Sequence, residues 1–160
     1  MGYYWGGTIF GIDVDGDDDI DVLSASDGDD TIAWYENADG SGGSWTTHTI
    51  TTTCTGARAV FGIDMDGDGD VDVVASCMAS GTVEWYENTD GSGGSWTTHT
   101  ITTSADTVLE VFGIDVDGDG DVDVLSASQD DDTIAWYVSV HTRDCICDTL
   151  ASTSTQFTSP

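Results

Sequence analysis

An acidic loop of nine residues occurs three times in this chain of 160 residues, always at the same spacing. In each copy aspartate stands at positions 1, 3, 5, 7 and 9, and glycine stands at position 4. The loops cover residues 13–21, 64–72 and 115–123, so the step is 51 residues each time. Carboxylates held this close together repel one another strongly unless a cation lies among them. The pattern therefore predicts hard-cation sites that belong to a modular array.

Calcium suits these loops better than zinc or magnesium. Ca²⁺ binds about six to eight oxygen ligands in a loose geometry, whereas Mg²⁺ requires a stricter octahedron. Zinc favours His and Cys, and the loops contain neither. We expect side-chain ligands from positions 1, 3, 5 and 9 and a backbone carbonyl from position 7, with one Ca²⁺ per repeat and three in total. The predicted metal-site residues are Asp13, Asp15, Asp17, Asp19, Asp21, Asp64, Asp66, Asp68, Asp70, Asp72, Asp115, Asp117, Asp119, Asp121 and Asp123.

Position 6 of the loop distinguishes the first copy from the other two. Gly69 and Gly120 occupy this position in the second and third loops, and Asp18 replaces them in the first. Glycine enters the left-handed region without steric cost, and aspartate tolerates that region better than most residues. The first loop is therefore expected to be slightly strained and still competent to bind a cation.

The loops do not match the EF-hand calcium loop. An EF-hand requires a bidentate Glu at position 12 and a helix on each side. Position 12 here is Ser24, Ala75 or Ser126, and the flanking segments alternate in the manner of β-strands. An EF-hand is therefore rejected.

Each repeat contains four strand-like segments, which predicts an all-β fold. The metal loop joins the first segment to the second, and a Gly/Ser-rich turn at 90–95 joins the third to the fourth. Four antiparallel strands in a repeat of 51 residues are typical of β-propeller blades. We place three blades within residues 1–137, at about 8–52, 58–103 and 108–137, followed by a non-repeat tail at 138–160. In the second repeat the predicted strands are Ala59–Ile63, Asp72–Ser76, Thr82–Asn88 and Trp96–Thr102.

A Phe-Gly pair precedes every metal loop. The pairs are Phe10-Gly11, Phe61-Gly62 and Phe112-Gly113. Together with the aspartate loop and the Val-Asp-Val that follows it, this pattern resembles the FG-GAP/VCBS repeat, a calcium-loop blade also found in integrin α-subunit propellers. The resemblance covers about residues 8–137. It implies a calcium loop between the first two strands of a blade, an extracellular or cell-surface location, and a role in ligand binding or scaffolding and not in catalysis.

The number of blades departs from the family pattern. Propellers usually contain about four to eight blades, and this chain has three metal loops. After Tyr137 the repeat is lost, so the third blade lacks a fourth strand unless residues 138–142 or a later segment of the tail supply one. Three blades leave two sheet faces uncovered and strand edges open. Either the chain is a piece of a longer array, or copies assemble into a ring or a filament.

The charge balance excludes two classes of partner. Formal net charge is −29, and Arg58 and Arg143 are the only basic residues besides histidine. Phosphate contacts need Lys and Arg, so the chain is not expected to bind nucleic acid or an anionic membrane surface. No apolar run is long enough for membrane insertion. The remaining partners are the chain itself, an extracellular protein or a glycan.

Cysteine and tryptophan leave three questions open. Cys54 and Cys77 both fall in the second repeat, where they form either a disulfide or two free thiols. Cys145 and Cys147 in the tail are too close in sequence to bridge each other readily, which leaves pairing elsewhere in the chain or between chains. Trp45 and Trp96 lie beside the Gly/Ser-rich turns, where they either pack structurally or offer a stacking platform for sugars, which makes a lectin-like module the alternative function. No combination of nucleophile, base and orienting group stands out.

Overall fold

In the computed structural model of the chain, residues 7–139 and 157–158 are described, and all regular elements in these ranges are β-strands. None of the described residues forms a helix of the length and apolar character needed to cross a membrane. The strands are β1 Ile9–Ile12, β2 Asp21–Ser26, β3 Thr31–Glu36, β4 Thr46–Thr51, β5 Ala57–Ile63, β6 Asp72–Cys77, β7 Thr82–Asn88, β8 Trp96–Thr102, β9 Val108–Ile114, β10 Asp123–Ser128, β11 Thr133–Tyr137 and β12 Phe157–Thr158.

The strands form three antiparallel sheets, each of which is one blade. Blade 1 has the order β1-β2-β3-β4, blade 2 has β5-β6-β7-β8, and blade 3 has β9-β10-β11-β12. The predicted all-β architecture of propeller-type blades is confirmed. In blade 2 the first strand begins two residues earlier than predicted, at Ala57, and the second ends one residue later, at Cys77.

The last strand of blade 3 comes from the end of the chain. Strand β12 pairs with β11 through Thr158 opposite Thr133 and Phe157 opposite Ile134. The alternative candidate at 138–142 is not a strand at Val138 and Ser139, and its remaining residues lie outside the described ranges. The chain therefore leaves the repeat pattern after Tyr137 and returns to the same sheet about twenty residues later.

The blades stack face to face, and each junction is an apolar core. We call the side of a blade that carries the Trp of its third strand the front face, and the opposite side the rear face. Leu23 and Trp34 on the front of blade 1 share a buried cluster with Val73 and Tyr86 on the rear of blade 2. The same arrangement recurs between blades 2 and 3, around Trp85 and its neighbours. Each fully buried side chain of this kind contributes about 1.5–3 kcal/mol, so the two junctions hold the blades together.

The Phe-Gly pair of each first strand allows neighbouring blades to approach closely. A Cβ atom added at Gly62 would lie 2.9 Å from the side chains of Ile12 and Leu23 in the preceding blade. The rings of Phe10 and Phe61 are 4.6 Å apart between centroids, and Phe61 and Phe112 are 4.5 Å apart. Glycine provides the space and phenylalanine fills the adjacent volume, which explains why the two residues occur together.

A disulfide links Cys54 to Cys77, so that the two alternatives left by the sequence are resolved. Cys54 lies in the connection between β4 and β5, and Cys77 ends β6. Both residues are fully buried at the junction of blades 1 and 2. The bridge therefore ties the connection between two blades to the core that holds them together. Cys145 and Cys147 lie outside the described residues.

Candidate metal centre

Each metal loop joins the first two strands of its blade, and its first aspartate holds the loop in a tight curl. In blade 2, Oδ1 of Asp64 accepts a hydrogen bond from the backbone N–H of Gly67 at 2.7 Å. Its Oδ2 accepts from the N–H of Gly69 at 3.0 Å. The corresponding bonds form in the other two loops, so the curl is a property of the repeat. These hydrogen bonds curl the backbone of the loop around the carboxylate of its first aspartate.

The next two aspartates of the loop each accept a hydrogen bond from the amide two residues further on. Oδ1 of Asp66 lies 3.2 Å from the N–H of Asp68, and Oδ1 of Asp68 lies 2.9 Å from the N–H of Asp70. Such turns compete with regular structure and favour a compact loop.

The curl requires positive φ at two positions. Gly67 has φ 79° and Gly69 has φ 99°. Asp18, which replaces glycine in the first loop, has φ 71°. The expectation that Asp18 adopts the left-handed conformation is confirmed.

Three carboxylates converge in every loop. In each group one oxygen per residue lies within 4.8 Å of the others, which is the spacing that a single cation can bridge. The groups differ slightly in membership, because the first contains positions 1, 3 and 5 and the others contain positions 1, 3 and 9. They are Asp13, Asp15 and Asp17; Asp64, Asp66 and Asp72; and Asp115, Asp117 and Asp123.

The remaining predicted residues belong to the same three loops but not to these groups. Asp21, Asp68 and Asp119 complete the predicted side-chain sets at positions 9 and 5. Position 7 was predicted to act through its backbone carbonyl. Two of the position 7 carboxylates are directed to the neighbouring turn: a Cβ atom added at Gly91 would lie 2.6 Å from Oδ2 of Asp70, and Asp19 has the same relation to Gly40.

The last aspartate of the loop has a structural role that the sequence pattern did not reveal. Asp72 is buried, with 1% of its surface exposed. Its Oδ2 accepts from the backbone N–H of Met65 at 2.9 Å, and its Oδ1 accepts from the N–H of Asn88 at 2.8 Å. The same pair of bonds forms around Asp21 and Asp123. This residue therefore joins the metal loop to the end of the third strand, and the alternation of aspartates gives no sign of it.

Burial and mutual repulsion raise the pKa values of four of the converging carboxyl groups, those of Asp15, Asp66, Asp72 and Asp117. Desolvation is the largest cause of the raised pKa at Asp15, Asp66 and Asp117, and the negative charges of neighbouring aspartates add to it. Burial raises the pKa of Asp72 from 3.8 to about 6, in spite of the two amide hydrogen bonds that favour its ionised form. A cation at the site would favour ionisation of the same groups. The donor set consists of oxygen alone, which fits a hard divalent cation and does not fit zinc.

A second aspartate-based turn holds the Gly/Ser-rich segment between the third and fourth strands. Oδ1 of Asp90 accepts from the backbone N–H groups of Ser92 and Gly94 at 3.1 and 3.2 Å. These bonds hold the pKa of Asp90 below its usual range. The carbonyl of Gly93 between them accepts a hydrogen bond from Nε1 of Trp34 in the preceding blade at 3.2 Å. The turn is thus part of the junction between blades.

Comparison with protein families identifies the repeat. A family model described as an FG-GAP-like repeat matches residues 13–75 and again residues 64–126. Each match begins at the first aspartate of one metal loop and extends past the next metal loop into the strand that follows it. The two matches overlap and together span most of the described chain. No curated protein and no solved structure matches it.

Proposed function

The chain belongs to the FG-GAP-like repeat family, and on this premise we propose that it is a calcium-binding propeller-type repeat protein with a structural or adhesive role outside the cell. The observation that carries the proposal is the convergence of three carboxylates within 4.8 Å in each of three loops. A charge of −29 with this concentration of carboxylates favours cation binding. The role is proposed to be non-catalytic.

The side chains of positions 1, 3, 5 and 9 and the carbonyl of position 7 would hold the ion. Calcium supplies positive charge that offsets the repulsion among the carboxylates. Asp64 curls the loop, and Asp72 connects the loop to the end of β7 through Asn88. Ordering these residues would stabilise the whole blade, because the loop joins two of its strands and Asp72 reaches a third.

One observation and one general expectation support an extracellular location. The buried Cys54–Cys77 disulfide suits an oxidising compartment, since such bonds are rare in reducing ones. Extracellular calcium modules bind at about 10⁻⁴–10⁻³ M, and we expect affinities in this range for the three loops.

Isothermal titration of the calcium-stripped protein tests the metal assignment. We expect about one Ca²⁺ per loop, weaker binding of Mg²⁺, and a melting temperature that falls when a chelator is added. When free calcium is at a hundredfold excess over the Kd of a site, binding at that site would add about 2.7 kcal/mol to the free energy of unfolding. An identical melting curve with calcium and with excess chelator would overturn the assignment.

Carbohydrate binding is a second candidate because of Trp45. Its side chain is 46% exposed, whereas the equivalent Trp96 packs against the core between blades 1 and 2. An exposed indole beside a polar turn can stack on a sugar ring. A glycan array with the wild-type chain and with Trp45→Ala tests this function, and binding that persists in the variant would count against it.

A further inference from the structure

The exposed large hydrophobic side chains are confined to two surfaces. Among the described residues seven such side chains are exposed, and all of them lie on the two blade faces that the stack leaves uncovered. We define the open rear face of blade 1 by Ile9, Ile20 and Trp45, together with Gly11. We define the open front face of blade 3 by Phe112, Ile114, Val116 and Ile134.

The repeat shows what these two faces are built to contact. Ile9 is 75% exposed, but its equivalents Val60 and Val111 are only 4% and 2% exposed, because each packs against the front of the preceding blade. Val116 is 44% exposed, whereas its equivalents Val14 and Met65 are buried at the junctions. The two open faces therefore carry the two halves of a junction that the chain already forms twice.

The packing around Gly11 independently indicates that the open rear face of blade 1 can receive another blade. The equivalent glycines are closely packed, since a Cβ atom at Gly62 would lie 2.9 Å from Ile12 and one at Gly113 would lie 3.0 Å from Ile63. At Gly11 the nearest atoms belong to its own blade, at 3.5 Å or more. In the repeat pattern the side chain that fits against Gly11 is an isoleucine equivalent to Ile12 and Ile63. That residue is Ile114, which is 45% exposed.

The tryptophan of the third strand shows which turn a second copy would bring to blade 3. Nε1 of Trp34 donates to the carbonyl of Gly93 in the next blade. Nε1 of Trp85 and Nε1 of Trp136, at the equivalent positions of blades 2 and 3, are both buried and have no acceptor among the described residues. The position equivalent to Gly93 in blade 3 is Asp144, outside the described residues. The residue equivalent to Gly93 in blade 1 is Gly42, on the open rear face, where an added Cβ atom would meet nothing closer than 3.8 Å.

We propose that a second copy of this chain docks head to tail, with the front face of blade 3 against the rear face of blade 1, and that two copies close a six-bladed propeller. Closed propellers contain about four to eight blades, and six is the only multiple of three in that range. Two copies related by a two-fold axis would form the junction twice and leave neither face open. The proposal rests on the proposed function of a calcium-bound blade array and adds its partner.

Assembly is coupled to the metal loops. Val116 is position 2 of the third loop, and Ile20 is position 8 of the first, so the loops contribute side chains to the docking surfaces. Two chains of charge −29 also repel each other. Calcium orders the loops and reduces this charge, so the dimer should be favoured by calcium and weakened by a chelator.

Size-exclusion chromatography with light scattering in calcium measures the assembly directly. We expect a mass of twice the 16.8 kDa of one chain. The decisive variant is Gly11→Val, because a valine has room in the isolated chain and would collide with Ile114 of the second copy. It should shift the mass from two chains to one.

Calcium titration of the same samples separates this proposal from the metal assignment. Gly11→Val should bind as many calcium ions as the wild type and retain its near-UV circular dichroism, which shows that the fold is intact. A wild-type mass of one chain, or of three or more, overturns the six-bladed dimer and leaves the calcium sites standing. A Gly11→Val variant that remains dimeric overturns the assigned surface.

Discussion

The buried carboxylate of Asp72 accepts a hydrogen bond from the backbone N–H of Asn88 at 2.8 Å, although the two residues are sixteen positions apart. Its other oxygen accepts from the N–H of Met65, inside the metal loop. A single side chain thus connects the loop, the start of β6 and the end of β7. The predicted calcium ligand is at the same time part of the hydrogen-bonded framework of the blade.

Asp72→Asn should therefore destabilise the protein even without calcium. In the wild type both oxygens of Asp72 accept from backbone N–H groups. In the variant the side-chain NH₂ would face one of these N–H groups and leave it without an acceptor, and an unsatisfied buried donor costs about 1–3 kcal/mol. Urea unfolding of the calcium-stripped variant measures this loss.

Asp66→Asn is the matched control for the previous variant. Its oxygen can still accept from the N–H of Asp68, and it removes one charge from the cluster. We expect one fewer calcium ion per chain in a titration and no loss of stability in the stripped protein. Equal losses of stability in Asp66→Asn and Asp72→Asn would refute the separate roles.

The calcium-free protein should lose stability as the pH rises from about 4 to about 6. In this window the raised pKa of Asp72, about 6 against 3.8, means that the folded state binds more protons than the unfolded state. Stability falls with pH wherever the folded state binds the excess protons. The raised pKa values of Asp15, Asp66 and Asp117 act in the same direction.

Calcium should reverse this trend, because the ion binds the ionised carboxylates and protons compete with it. Melting temperatures of the stripped and the calcium-saturated protein across this pH range would show opposite slopes. A stripped protein whose melting temperature rises from pH 4 to pH 6 would contradict the prediction.

Replacing both members of the Cys54–Cys77 pair by alanine should cost about 3 kcal/mol, because the bridge closes a loop with a sequence separation of 23 residues. Chemical unfolding of the double variant gives the loss. Reduction of the wild type in denaturant followed by the same measurement is the control, since it opens the bridge without changing the sequence. A loss below about 1 kcal/mol would show that the bridge adds little to this junction.

Gly93→Ala should be more costly than Gly42→Ala, although the two glycines are equivalent in the repeat. Both have positive φ, 68° and 77°, so both variants carry the strain of a left-handed alanine, about 1 kcal/mol or more. At Gly93 the new methyl group would also lie 2.7 Å from the ring of Trp34. We therefore expect an additional loss of about 1–3 kcal/mol from overpacking.

The comparison is made by urea unfolding at a concentration at which the chain is monomeric, because Gly42 belongs to the open rear face. Trp34→Phe in the Gly93→Ala background removes the part of the ring that the methyl group meets. The loss in the double variant should be smaller than the sum of the losses in Gly93→Ala and in Trp34→Phe alone. Equal stabilities for Gly93→Ala and Gly42→Ala would contradict the close packing of Trp34.

Local patterns in the sequence were sufficient to predict the strands of a blade and the curl of its metal loop. Aspartates alternating around Gly67 predict a curled acidic loop, since side-chain acceptors two residues apart capture the following amides. The four strands of blade 2 were predicted within two residues of their observed ends, because hydrophobic alternation and turn glycines act at short range. Even the conformation of Asp18 follows from its position in the repeat.

The sequence alone could not distinguish residues that are equivalent in the repeat. Ile9 and Val60 occupy the same position, yet one is exposed and the other is buried, because only the second has a blade in front of it. Repetition determines which side of a strand is apolar. The three repeats also give the number of blades, but which side of each blade packs against which neighbour, and so which residues are buried, is decided by the tertiary structure.

The sequence alone was also unable to predict the surroundings of single side chains. An aspartate in a motif shows that oxygen ligands are available, but the burial of Asp72 and its bond to Asn88 depend on how β6 and β7 pair. The choice between a disulfide and two thiols at Cys54 and Cys77 depended on the distance between chain segments. The return of β12 to blade 3 was likewise one of several options in the sequence. Local composition determined the chemistry of the loops and the strand pattern, whereas long-range packing determined burial, pairing and the open surfaces, because those depend on which segments meet in space.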